Sequence, residues 1–174
     1  TYTQFQNCGI ENTGTATEAF LFSAGAGRVI MNRMSFILGS GTVRFSRAII
    51  RFTASVDYSY VTYSEFVSAA PVFVEHSGAN STNLFFEDNV VDATTENIIF
   101  MQLNSGSGFD HILMTRNTFN TQGNFELNIL DCTNLGSGNV NIFTFENNEV
   151  DDIATTQTFR WMRLRNIRSA NINK

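Results

Sequence analysis

Large apolar residues recur along this chain in short blocks, and three of the blocks repeat one pattern. They read Phe86-Glu87-Asp88-Asn89-Val90-Val91, Met114-Thr115-Arg116-Asn117-Thr118-Phe119 and Phe145-Glu146-Asn147-Asn148-Glu149-Val150. Each opens on a large apolar residue, places Asn three positions on, and returns to an apolar residue two beyond that. The blocks are separated by 28 and 31 residues. A period of that size predicts a solenoid, because one supersecondary unit recurs and no single copy can bury its apolar face alone.

The pattern extends towards the N-terminus in weaker form. Taking the first apolar residue as the marker gives Phe5, Met31, Val61, Phe86, Met114 and Phe145, with gaps of 26, 30, 25, 28 and 31. Five residues after each marker stand Ile10, Phe36, Phe66, Val91, Phe119 and Val150, all apolar. The Asn position holds Cys8, Met34 and Ser64 in the first three repeats. Six rungs of 25–31 residues follow, spanning residues 1–174 as a single domain.

Each rung reads as three short strands. The third strand of successive rungs is expected at Ala19–Phe22, Val43–Phe52, Val72–Glu75, Asn97–Leu103, Phe125–Leu130 and Phe159–Asn166, with another strand at Tyr58–Tyr63. Polar Gly, Ser and Asn segments follow at a constant phase: Ser77–Asn83, Asn104–Gly108 and Thr133–Asn139. Such residues permit positive φ and local side-chain bonds to the backbone, as tight corners require. An antiparallel sandwich also yields short strands and frequent turns, but it does not demand self-similarity at this spacing. A helical reading fails because Gly, Asn, Thr and Phe crowd the repeating segments.

Composition agrees with strands. One Pro, 17 Phe and many β-branched residues suit sheet with short turns. A net charge of −5 lacks the basic face of a nucleic-acid binder. No run of 18 apolar residues is present, so no membrane-spanning helix is expected. The chain begins at Thr1 rather than Met, which implies an upstream segment. Cys8 and Cys132 fall on the first and fifth rungs, roughly 19 Å apart at about 4.8 Å per strand, so both are expected free and packed. Asn80-Ser81-Thr82 is a glycosylation sequon.

The stacked Asn89, Asn117 and Asn148 are expected to form an amide ladder, since Asn tolerates the left-handed conformation and its amide can bond the next rung. Chemistry is sparser. If rungs stack, Glu75, Gln102, Asp131 and Arg165 share one outward column, with Glu75 and Asp131 two rungs or about 9–10 Å apart. That separation suits an acid and a base flanking a water, so Glu75, Glu126 and Asp131 are the catalytic candidates, against a solvated polar face. Trp161, Arg163 and Arg165 share one face of the last strand and could stack a sugar ring and pair with an anion. The alternative there is a terminal strand shielding its edge with charge. Asp92, Asn120 and Asp151 form a thin oxygen column, too sparse for calcium. No metal site and no cofactor are expected: His76 and His111 have no partners at ligand spacing, and phosphate-binding Gly loops and CxxC are absent.

Phe86-x-x-Asn89 and Phe145-x-x-Asn148 resemble the FxxN half of the repeats in polymorphic outer-membrane proteins. The three-strand rung resembles the pectate-lyase-like right-handed parallel β-helix superfamily. This resemblance implies an all-β, right-handed single-stranded parallel β-helix and an extracellular or cell-surface, glycan-facing role. It implies no activity, since the chain has no cluster of Asp with Arg and Pro such as pectate lyases use. The function expected is a non-catalytic structural or adhesive module that binds polysaccharide. The alternatives are a polysaccharide lyase or glycoside hydrolase and a rod-like subunit of a spike or filament. Neither terminus carries an amphipathic cap, so a neighbouring domain or identical copies are expected to cover the solenoid ends.

Overall fold

A computed structural model describes residues 2–23, 25, 27–37, 44–67, 70–78, 80–93, 97–121, 127–152 and 162–173. The first rung holds β1 (Tyr2–Gln6), β2 (Gly9–Glu11) and β3 (Glu18–Phe22). The second holds β4 (Arg28–Asn32), β5 (Ser35–Ile37) and β6 (Ala48–Phe52). The third holds β7 (Ser59–Thr62), β8 (Glu65–Val67) and β9 (Val72–His76). The fourth holds β10 (Asn80–Glu87), β11 (Val90–Ala93) and β12 (Ile98–Leu103). The fifth holds β13 (Gly108–Thr115), β14 (Thr118–Thr121) and β15 (Leu127–Asp131). The sixth holds β16 (Val140–Glu146), β17 (Glu149–Asp152) and β18 (Met162–Arg163), after which β19 (Ile167–Asn173) opens a seventh.

Every third strand joins the same parallel sheet. Sheet A has seven strands (β1-β4-β7-β10-β13-β16-β19), sheet B six (β2-β5-β8-β11-β14-β17) and sheet C six (β3-β6-β9-β12-β15-β18). The protein is therefore an all-β parallel solenoid, and the repeat markers stack directly. Phe5, Met31, Val61, Phe86, Met114 and Phe145 form one register column in sheet A. Ile10, Phe36, Phe66, Val91, Phe119 and Val150 form another in sheet B. The register holds through the N-terminal half, where the Asn signature is missing. No helix among the described residues is long and apolar enough to cross a membrane.

Phenylalanine fills the interior. Of the 17, nine are among the largest fully buried side chains, each contributing roughly 1.5–3 kcal/mol by leaving water. Phe36 stacks on Phe66 at 5.0 Å between centroids, and Phe100 meets Phe86 and Phe119 edge-on at 5.1 and 5.4 Å. Parallel stacking repeats identical environments every strand, so like residues find like partners.

Sheet C departs from simple alternation. Ile49 and Ile50, Phe73 and Val74, Phe100 and Met101, and Ile129 and Leu130 are consecutive pairs in which both members are buried. A regular pleat would turn one of each pair outward. This local departure repeats in four successive rungs, so it belongs to the cross-section of the solenoid.

Several boundaries differ from expectation. The strand expected over Val43–Phe52 begins only at Ala48, and Tyr58 and Tyr63 lie outside their strand because both have positive φ, 45° and 51°. The polar stretch Ser77–Asn83, expected as one turn, is strand from Asn80 onward. Its polar side chains are accommodated by facing solvent or, for Ser81, by bonding inside the core. Cys132 is buried and free as expected, whereas Cys8 is exposed, because the first rung has no strand above it to pack against.

Candidate functional site

The corner between sheets A and B is built from two adjacent positions in each rung. The first is a left-handed residue: Asn7, Arg33, Tyr63, Asp88, Arg116 and Asn147 have φ between 51° and 55°. Several of these are residue types that rarely adopt such a conformation. Asn7, Arg33, Tyr63 and Asp88 are held by backbone bonds to the next rung, as in Arg33 N–H to Thr62 O (3.0 Å) and Asp88 N–H to Thr115 O (3.2 Å).

The second position carries the stacked amides, so the ladder Asn is not itself the left-handed residue. Asn117 Oδ1 accepts from Asn89 N–H (3.1 Å) and Asn89 Nδ2 (2.9 Å), and Asn117 Nδ2 donates to Phe86 O (3.0 Å). Asn148 repeats the geometry on Asn117, and Asn89 Oδ1 accepts from Ser64 N–H. Ser64 continues the ladder with a hydroxyl, accepting from Met34 N–H at 3.1 Å. Amide bonded to amide leaves this corner nothing to offer a ligand.

The outward column of sheet C runs Leu21, Arg51, Glu75, Gln102, Asp131 and Arg163. Glu75 and Asp131 share it as expected from stacking, but its foot is Arg163. Arg165 lies two residues on, beyond β18. A slip of two residues preserves the face.

Both described acids are occupied by the protein itself. Glu75 is 2% exposed and accepts a two-pronged bond from Arg47 Nε and Nη2, both at 2.7 Å. Asn104 Nδ2 adds a bond at 3.0 Å, and Arg51 Nε stands 3.7 Å away. Burial pushes the Glu75 carboxyl up, but the hydrogen bond and charge of Arg47, with Arg51 and Asn104, outweigh it and hold the group below its ordinary value. Asp131, 4% exposed, caps a turn: Oδ1 accepts from Thr133 N–H (2.9 Å) and Thr133 Oγ1 (2.6 Å), while Oδ2 faces Arg163 Nη1 at 3.5 Å. Glu126 and Trp161 lie outside the described residues. Arg163 is half-buried against Asp131, and Arg165 is exposed and donates to Thr133 O.

Asp92, Asn120 and Asp151 stack in one outward column of sheet B, and Asn120 Nδ2 donates to Asp92 Oδ1 at 2.7 Å. Among the described residues no group of three or more His, Cys, Asp or Glu is arranged to hold a metal.

Two features escaped sequence reasoning. The first is His76, wholly buried in sheet C beside Phe109, with ring centroids 4.6 Å apart. Ser107 O–H donates to the His76 carbonyl (2.8 Å), which assigns Nδ1–H as donor to Ser107 Oγ (3.0 Å). Val56 N–H donates to Ser81 Oγ (3.0 Å), and Ser81 O–H donates to Nε2 (2.9 Å). Burial lowers the imidazole to about 4, so it is neutral and fully bonded. Ser81 is itself buried, and this Ser–His pair serves the core.

The second is a recess of about 320 Å³ where the turns leaving sheet C enter sheet A. Asn80, Thr82, Asp110, Asn139 and Asn141 line it from three successive rungs, over Gly108. The stretch Asn80–Asn83 signalled only a turn, and the Asn139-x-Asn141 pair fell at a corner. The visible clue was that polar residues from three rungs coincide in phase. No family model, curated protein or solved structure matches the chain.

Proposed function

We propose that this chain is a non-catalytic structural or adhesive module, displayed at a cell surface or outside the cell, that recognises polysaccharide. On this reading it is a right-handed β-helix of the pectate-lyase-like kind. One observation carries the non-catalytic part. Glu75 and Asp131 stand two strands apart in one column, yet each is buried and bonded to a guanidinium on its own surface. A general acid must hold a proton near neutral pH, and Glu75 is pushed the opposite way. The binding part is supported by the recess, whose lining brings amides, a hydroxyl and a carboxylate together from three successive rungs.

The depolymerase alternative would need acids other than these. Incubation with a glycan panel, followed by assays for new reducing ends and for unsaturated uronates, should give no product. Turnover abolished by Glu75→Gln or Asp131→Asn, in protein that remains folded by circular dichroism, would overturn the proposal.

A further inference from the structure

Within this polysaccharide-binding reading, we propose that the recess over Gly108 is a subsite for one or two sugar units of an uncharged glycan. Its size lies at the lower end for small-molecule sites, which fits a short stretch of chain and not an extended groove.

Gly108 shapes the lining by carrying no side chain. Asn80 pairs with Gly108 in the register of β10 and β13, and the adjoining Phe109 N–H donates to the Asn139 carbonyl on the next rung (2.9 Å). A methyl group at Gly108 would collide with Asn80 Oδ1 and come within 3.6 Å of Asn139 O. Glycine thus lets the Asn80 amide lie close over this strand, beside the polar groups of the next rung.

The lining is arranged to meet hydroxyls. Asn139 Nδ2 donates to Asn141 Oδ1 (3.3 Å), and Asn141 Nδ2 donates to Asp110 Oδ1 (3.1 Å). This relay orients both amides and ends on a carboxylate. Asp110 is exposed, and its second oxygen has no side-chain donor among the described residues. Asn80 is also exposed, and its amide makes no side-chain hydrogen bond among them. A carboxylate oxygen accepts from adjacent hydroxyls, and an amide both donates and accepts, as a polyol requires. Thr82 Oγ1 is held in place by accepting from the Tyr58 backbone N–H (3.1 Å).

Charge selects among glycans. The lining contains one carboxylate and no cation, and Asp57 Oδ1 lies 3.5 Å from Thr82 Oγ1 at one end. Arg168 falls one strand beyond Asn141, outside the lining. A uronate or sulfate would be brought against Asp110 with no guanidinium among the lining residues to receive it.

The test is calorimetric titration of the protein, expressed without N-glycosylation so that Asn80 is bare. The probes are hexasaccharides of β-1,4-glucan, β-1,4-mannan and β-1,4-galactan, with oligogalacturonate and a glucosamine oligomer as charged counterparts. At least one neutral probe should bind, with Kd raised tenfold or more by Asp110→Asn and by Asn141→Ala, and by Gly108→Ala if it folds. Binding confined to a charged probe overturns the inference while leaving glycan recognition intact. Neutral binding that Asp110→Asn and Asn141→Ala leave unchanged places the subsite elsewhere. Binding to none of the probes defeats both this inference and the reading beneath it.

Discussion

Two corners of the same cross-section use asparagine in opposite ways. At the A–B corner, Asn89, Asn117 and Asn148 point inward and bond one another and the backbone of neighbouring rungs. At the C–A corner, Asn139 and Asn141 line the recess tied to each other and to Asp110, and Asn80 lines it with no side-chain hydrogen bond among the described residues. The residue type is the same and the rungs are the same. What differs is whether the protein itself satisfies the amide, because a buried polar group must be paired by the chain whereas an exposed one can be paired by solvent or ligand. One corner therefore holds register, and the other is available for recognition.

The strongest way to break this contrast is Asn117→Ala. It removes the acceptor for Asn89 N–H and Asn89 Nδ2, and the donor to Phe86 O, at a position only 1% exposed. Each orphaned buried group costs about 1–3 kcal/mol, so a loss of about 3–5 kcal/mol is expected in urea unfolding. A loss below about 1 kcal/mol would mean that water replaces the ladder, and the corner would then be no more closed than its counterpart.

Beneath the open corner, His76 makes stability depend on pH. Its folded value of about 4 lies below the ordinary 6.5, so between those limits the unfolded chain binds more protons. Stability from this group is complete above pH 6.5 and is lost as pH falls towards 4, to a total of about 3 kcal/mol at 1.36 kcal/mol per unit. His111 is lowered in the same direction, by burial opposed by Glu146, whereas Glu75 and Asp88 are held below their ordinary carboxylate values, so their stabilisation is present at neutral pH and is lost only as pH falls through the carboxylate range and below. Comparing urea unfolding of the parent with His76→Gln and His111→Gln at pH 7 and 5 isolates the effect. The pH slope should flatten in His76→Gln. If only His111→Gln flattens it, the Ser–His–Ser network is not what titrates.

These differences also mark what could be read from the residues. The stacking of Phe86 on Met114 and Phe145 was legible because a parallel solenoid puts equivalent residues one above another, and period alone reports it. The amide ladder was legible for the same reason. The left-handed position was not: Arg33 and Tyr63 occupy it against their intrinsic preference, held by backbone bonds that come from the neighbouring rung. Nor did spacing show that Glu75 would be buried, since Arg47 reaches it from outside its strand. The recess was hidden most deeply, because it gathers around Gly108 polar residues roughly 30 positions apart in the chain.

The mildest change sharpens the comparison most. Asn141→Ala stands one rung from Asn117 and removes the same side chain, but on the outward face of β16. Its amide donates to Asp110, which is exposed, and accepts from Asn139, which is partly so. Water can replace both bonds, and an exposed polar substitution usually changes stability by less than about 0.5 kcal/mol. Urea midpoints of Asn141→Ala and the parent should therefore nearly coincide, while glycan affinity falls. A destabilisation matching that of Asn117→Ala would show that the recess amides hold the rungs together, and the division of labour between the two corners would disappear.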